Sequence, residues 1–316
     1  MMKWFGAAAT ILFAMGLARA EEQRTVVTLG TATPGGGFPV YGQAVAETIH
    51  ANDPSLEVRT RNTKGSTENV PLLEAGQLDL ALVQGEVAHE ALSGIGRPPA
   101  RLQILVAMYT TPGMFVVRGD QPYRTIADLK GKTVAWGARG SGLVVLARYV
   151  LDGLGLDMER DFQPVYLDQA GDGPAMVGDG RAAALWGGGA GWPGFTAVAR
   201  GAQGARFIAP APSERARIQA KHAFLKTLTI PAGAYPGQTE PIVSVGSWSF
   251  ILVTPTLAED TAYRLARALH RGEAMMAAKL PQGHETTAAN TAAGAPRPEL
   301  IHPGARRYFR EIGLLP

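Results

Sequence analysis

The chain has 316 residues, no cysteine and a formal net charge of +3. The missing cysteines exclude disulfides, thiol chemistry and a lipid anchor on an N-terminal cysteine, and near-neutral charge gives no electrostatic case for nucleic acid. The length suits two domains of ordinary size.

The first stretch, "MMKWFGAAATILFAMGLARA", has Lys3 in a short basic start, an apolar run from Trp4 to Leu17 and the small-x-small end Ala18-Arg19-Ala20. This pattern is that of a secretory signal peptide, residues 1–20, cleaved after Ala20. The apolar run is shorter than a spanning helix needs. Lys3 and Arg19 leave with the leader, which takes the formal charge from +3 to +1. An exported, cysteine-free chain points to a bacterial periplasm.

Beyond the leader, strand-like and helical runs alternate. "TVVTLG" reads as a strand, and "VYGQAVAETIHAN" as a helix with Val40, Ala44, Val45 and Ile49 on one side. "LEVRTRNT" is a strand, "GSTENVPLLEAGQ" a helix capped by Ser66 or Thr67 and stopped by Gly76, "LDLALVQ" a buried strand and "GEVAHEALSG" a helix. This order predicts a mostly parallel sheet with helices on its faces. The pattern then restarts. "LQILVAMYTTPGMFVVR" gives two strands, "TIADLKG" a helical turn, "KTVAWG" a strand and "LVVLARYVLDGLG" a helix. "FQPVYLD" is a strand, "GPAMVGDGR" a helix and "AAALWGGG" a strand, so a second α/β unit is inserted. "IPAGAYPGQTEPIVSVGSWSFILVT" returns across, "EDTAYRLARALHRGEAMMAAK" is helical, "ETTAANTAAGAPRP" reads as a loose loop and "ARRYFREIG" as a terminal helix.

Two glycine loops stand out. In "TVVTLGTATPGGGFPVYG", Gly30 and Gly35 are spaced like the first glycines of a phosphate-binding loop. Gly36 and Gly37 occupy the places of the required Lys and Ser/Thr. The dinucleotide fingerprint fails as well, with Val40 where the third glycine belongs. What remains is a strand–glycine–helix turn whose N–H groups attract an anion, carboxylate as readily as phosphate. "VAWGARGSGLVVL" repeats the design, with Ser141 as cap and the N–H groups of Gly140, Ser141 and Gly142 turned outward. Ligands of open α/β sheets sit at the C-terminal ends of strands. Two such loops in successive units therefore predict one small anion held between two lobes that close on it.

These residues carry a family resemblance. "LGTATPGGGFPVYGQAVAETI", "TKGSTENVPLLEAGQLDLALVQGEVAHEAL", "ADLKGKTVAWGARGSG", "IPAGAYPGQTEPIVSVGSWSFILV" and "IHPGARRYFREIG" resemble, in order, the blocks of the TAXI subgroup of TRAP-transporter solute receptors. The resemblance implies a type II periplasmic binding protein, with lobe 1 formed by 26–117 plus 241–316 and lobe 2 by 118–240. It implies a monomeric receptor that hands an organic anion (a dicarboxylate, an acidic amino acid or a related carboxylate) to a TRAP-type permease, with no cofactor and no metal. By position it implies ligand contacts at Thr31, Thr33, Gly36, Gly37, Ser66, Gln84, Ser141 and Gly142. Pro34, with no N–H to offer, and Arg139 before Gly-Ser-Gly depart from the usual pattern.

Other residues have two readings each. Arg139 is either a bidentate carboxylate clamp or a solvent-facing loop arginine. Phe38 and Trp186 are cleft walls or core, as are Tyr109, Trp136 and Trp248. Glu86 either receives an ammonium group or steadies the first turn of its helix. An H-E-x-x-H metal motif is missing, since His89-Glu90 has no second histidine in place. "RGSGL" lacks the first glycine of a G-x-S-x-G elbow. The expectation is a receptor and not an enzyme. An enzyme on the same scaffold and a sensory ligand-binding partner are the alternatives.

Overall fold

A computed structural model describes residues 24–316; the expected leader, residues 1–20, lies outside the described residues. The first half runs through β1 (Thr25–Gly30), α1 (Gly37–Asn52), β2 (Leu56–Arg61), α2 (Ser66–Glu74), β3 (Leu80–Val83), α3 (Gly85–Ser93) and β4 (Gln103–Thr110). The chain then enters β5 (Gly113–Arg118), β6 (Thr133–Ala138), α4 (Gly142–Leu154), β7 (Gln163–Leu167), α5 (Gly173–Gly178) and β8 (Ala184–Gly188). It continues through α6 (Pro193–Ala199), β9 (Ala205–Ile208), α7 (Pro212–Lys221), β10 (Lys226–Ile230) and β11 (Ile242–Gly246). β12 (Trp248–Val253) and helices α8 (Glu259–Arg271), α9 (Glu273–Lys279), α10 (Ala288–Gly294) and α11 (Pro303–Glu311) complete it.

Two five-stranded sheets result, ordered β2-β1-β3-β12-β4 and β7-β6-β8-β5-β9, with β10 and β11 as a separate antiparallel pair. Each keeps a parallel core, β2-β1-β3 and β7-β6-β8, because helical crossovers connect those strands. One strand in each, β12 or β5, runs antiparallel to its neighbours. β5 pairs with β8 and β9, and β11 with β10, so the chain leaves the first sheet after β4 and rejoins it at β12. The backbone registers of these strands decide their sheet, and hydrophobic runs alone do not reveal partners.

Further differences have local causes. Val40 is exposed, and Tyr41 takes the core position, its hydroxyl 2.9 Å from Thr286 Oγ1. Ser66 is the first residue of α2 and not its cap; Gly65 holds that place, and the Glu68 carboxylate accepts the Lys64 N–H at 2.5 Å. Residues 285–298, read as a loose loop, contain α10 and cover the outer edge of β4. There Thr291 Oγ1 accepts the Ala107 N–H (2.9 Å), Thr286 Oγ1 donates to the Met108 carbonyl (2.9 Å) and Glu285 accepts the Thr110 N–H (3.0 Å). An edge strand left bare would offer unpaired backbone groups to other chains. No helix of the described residues is long and apolar enough to cross a membrane.

Candidate functional site

The C-terminal ends of β1, β3 and β6 open onto one cleft between the sheets, with about 590 Å³ of free space, mouth included. Four helix starts meet there. Gly36 and Gly37 begin α1, Gly65 and Ser66 begin α2, Gln84 caps α3, and Ser141 and Gly142 begin α4. First-turn amides have no partner inside their own helix, and the aligned peptide dipoles make each start electropositive. Lys64 is the one charged residue among those lining the cleft, and no carboxylate joins it. Four positive helix ends and one cation, with no carboxylate among the lining residues, give the cleft an electropositive floor.

The polar side chains are held by contacts that fix their free atoms. Ser141 Oγ accepts the Leu143 N–H at 3.2 Å and caps α4. Ser66 Oγ accepts the Gln84 N–H at 3.0 Å, which leaves its own proton to donate elsewhere. Asn69, buried on α2, donates to the carbonyls of Thr31 and Leu82, both at 2.8 Å, and so pins the ends of β1 and β3 together. Glu86 is fully buried behind the cleft wall. It accepts Gln84 Nε2–H at 2.9 Å and Ser247 Oγ–H at 2.7 Å. Burial pushes its carboxyl up, while the hydrogen bonds from Ser247, its own backbone and Gln84 oppose that shift.

Phe38, Tyr109, Leu143 and Trp192 supply apolar wall. Gly37 is what lets the rings approach, since a Cβ there would lie 3.1 Å from Trp192 Cδ1. Burial raises the Tyr109 phenol far above its ordinary value, so it stays neutral.

The sequence candidates divide. Thr33, Gly36, Gly37, Phe38, Ser66, Gln84, Ser141 and Gly142 line the cleft. Thr31 does not; it is fully buried with Oγ1 3.1 Å from the Arg61 carbonyl. Arg139 is exposed and stacks on the Tyr166 ring, 4.4 Å from its centroid. Trp186 lies inside β8, not on a loop. It is fully buried against Phe115, with its indole N–H donated to the Leu143 carbonyl at 2.7 Å. Its apolar bulk and one polar atom are both satisfied by the core. Lys64 and Trp192 went unread in the sequence. Lys64 directly precedes the Gly-Ser start of α2, which is a usable signal, whereas nothing local marks Trp192.

Contacts cross the cleft on two sides. The Thr67 N–H and hydroxyl both reach the Gly140 carbonyl, at 3.2 and 3.1 Å. Opposite, Thr33 Oγ1 accepts the Ala170 N–H at 3.2 Å and the Pro34 carbonyl accepts the Gly171 N–H at 3.3 Å. Gly35 makes that approach possible. Its φ is +79°, and a Cβ would lie 2.4 Å from Gly171 Cα. The described conformation is a shut cleft.

Solved structures share this architecture at low identity. The alkanesulfonate-binding protein SsuA from Xanthomonas axonopodis pv. citri, bound to MOPS, is 18% identical with a TM-score of 0.51, over 93% of this chain and 84% of that one. A TctC solute-binding protein from Polaromonas is 16% identical with a TM-score of 0.51, over 92% and 98%. A protein of Bordetella bronchiseptica RB50 is 14% identical with a TM-score of 0.58, over 92% and 98%. The fold is that of the periplasmic binding proteins, as the sequence led us to expect. Residues 29–313 match the model of the NMT1-like family, and the chain belongs to that family.

Proposed function

We propose that this protein is a periplasmic solute receptor that binds a small organic anion and delivers it to a membrane transporter. The observation that carries the reading is the meeting of four helix N-termini and Lys64 in a cleft without a lining carboxylate. The ligand-binding set is Thr33, Gly36, Gly37, Phe38, Ser66, Gln84, Ser141 and Gly142, with Lys64, Tyr109 and Trp192 added. Residues 24–110 with 248–316 form one lobe and 113–246 the other, closing over the anion by rotation about the two connecting passages.

Family membership and the fold of known solute-binding proteins support the receptor role. The finer assignment, a TAXI-type receptor serving a TRAP permease, rests on the ordered sequence blocks. The chain has no expected catalytic role.

Thermal shift of the purified protein against dicarboxylates, acidic amino acids, hydroxy acids and aromatic acids tests the reading. Stabilisation by at least one carboxylate is expected, since a ligand at 100 times its Kd adds about 2.7 kcal/mol. Response only to neutral sugars or cations, or no response at all, overturns it. Uptake by reconstituted permease and receptor that follows a sodium gradient without ATP supports the TRAP assignment; ATP dependence refutes it.

A further inference from the structure

Resting on the anion-receptor reading, we infer that the true ligand carries an N–H or O–H donor next to its acidic group, and that Glu86 imposes this by fixing the Gln84 amide. Gln84 is 3% exposed, so almost every polar atom it owns needs a protein partner. Its backbone N–H goes to Ser66 Oγ and its backbone carbonyl accepts the Ala88 N–H at 2.9 Å. Its Nε2 turns back onto Glu86 Oε2. Oε1 is the remaining atom, and no hydrogen bond to it forms among the described residues.

The orientation of that amide follows from chemistry. Burial works against ionisation of Glu86 and the hydrogen bonds from Ser247 and Gln84 work for it; in the ionised state its carboxylate only accepts hydrogen bonds. Glu86 receives the Ser247 hydroxyl on Oε1 and the Gln84 amide on Oε2. It also sits in the first turn of α3, where the helix end favours negative charge. Reversing the Gln84 amide would set its carbonyl oxygen against a carboxylate oxygen. With Glu86 ionised and Nε2 donated to it, Gln84 offers an acceptor, not a donor, to the cleft.

The same acceptor lies beside the anion-binding end of α4. A Cβ on Gly142 would be 3.1 Å from Gln84 Oε1 and 3.0 Å from Ser66 Oγ. A ligand whose acidic group meets the amides at that helix start thus places its neighbouring atom near Oε1. A 2-hydroxy or 2-amino carboxylate fills both positions. A 2-oxo acid puts an oxygen lone pair against Oε1, and an unsubstituted acid leaves Oε1 desolvated without a partner, a loss of roughly tenfold or more. Glu86 touches no ligand; it is a positioning residue.

The test is calorimetric titration of the purified protein with three matched series: lactate, alanine, pyruvate and propionate; 2-hydroxyglutarate, glutamate, 2-oxoglutarate and glutarate; phenyllactate, phenylalanine, phenylpyruvate and phenylpropionate. In the series that binds, the hydroxy or amino member should bind about tenfold or more tightly than the oxo and unsubstituted members, and which of the two does so identifies a hydroxyl or an ammonium as the donor. Glu86→Gln, whose amide can both donate and accept, should shrink that ratio to about threefold or less. Ser247→Ala, which removes one donor to Glu86 and leaves the carboxylate in place, should move it in the same direction. Equal binding of oxo or unsubstituted members by the native protein overturns the inference while leaving the anion receptor intact. So does an undiminished ratio in folded Glu86→Gln. If Glu86→Gln does not fold, the native ratio and Ser247→Ala decide. Binding by no member of any series overturns this inference, and the thermal-shift panel decides the receptor reading separately.

Discussion

Thr67 and Gly140 meet across the cleft, the carbonyl of one accepting both the backbone N–H and the hydroxyl of the other. Gly140 has no positive φ, so alanine is compatible with its own backbone. An added Cβ would nonetheless lie 2.5 Å from the Lys64 carbonyl oxygen. Gly140→Ala is therefore expected to keep the ligand-free protein stable to within about 1 kcal/mol. It should hold the cleft open and weaken ligand affinity about tenfold or more. Denaturation together with small-angle scattering with and without ligand reads both effects. A variant that contracts and binds like the native protein refutes the clasp.

Two cations near the cleft should behave differently. Lys64 lines it, so Lys64→Ala should lower anion affinity by roughly tenfold at low salt, with a smaller loss as ionic strength rises. The Arg139 guanidinium lies over Tyr166 instead, and Arg139→Ala should change affinity by no more than about twofold. Titrations at two salt concentrations check this, and a reversed order would restore Arg139 as the carboxylate clamp.

Asp53 ties the end of α1 to α8. Its carboxylate accepts Arg264 Nε–H at 2.9 Å and Nη2–H at 2.8 Å, as well as the Ser55 hydroxyl at 2.7 Å. The Arg264 contact holds its carboxyl down, from the ordinary 3.8 to about 2. A depressed folded value stabilises the protein above the unfolded value, and that stability disappears as pH falls through the folded one. Asp53→Asn should then lose about 2 kcal/mol at neutral pH. The gap between native and variant should close in denaturation at about pH 2. A constant gap would mean that the pair contributes packing and not charge.

Thr291 is a second stability probe. It is fully buried, and its Oγ1 accepts the Ala107 N–H while donating to the Thr287 carbonyl at 3.1 Å. Thr291→Val keeps the shape and leaves a buried amide unpaired, a loss of about 1–3 kcal/mol. Urea unfolding measures it, and a neutral result would show that water reaches the β4 edge.

Thr291 also explains what the sequence concealed. The alternation of apolar runs and glycine stops made the two α/β units visible, because burial periodicity and turn chemistry are local. "ETTAANTAAGAPRP" has no apolar period. Its threonines serve the backbone of β4, a partner some 180 residues earlier that local reading does not connect. The glycine loops were legible for the same local reason, and eight of the eleven candidate residues line the cleft. Thr31 lies one position past the end of β1, where a side chain faces either core or cleft and only the sheet register decides; Trp186, read as wall or core, sits at the centre of β8 and takes the core side. Glu86 lies two positions from Gln84, but its partner Ser247 comes from 161 residues further along the chain. Gly85 records that arrival, since a Cβ there would lie 2.1 Å from Ser247 Oγ.

The two passages between the sheets lie side by side. The Thr111 N–H donates to the Ser247 carbonyl at 3.0 Å, and a Cβ on Gly246 would sit 2.1 Å from the Thr111 carbonyl oxygen. Stitched together in this way, they form one joined crossing and not two slack cords. Ser247 is part of that crossing and also donates its hydroxyl to the buried Glu86 carboxylate behind the cleft wall. A change at Gln84 therefore reaches the crossing itself through Glu86 and Ser247, and on the proposed receptor reading specificity is more easily altered at Phe38, Tyr109 or Trp192 than on the Gln84 side of the pocket.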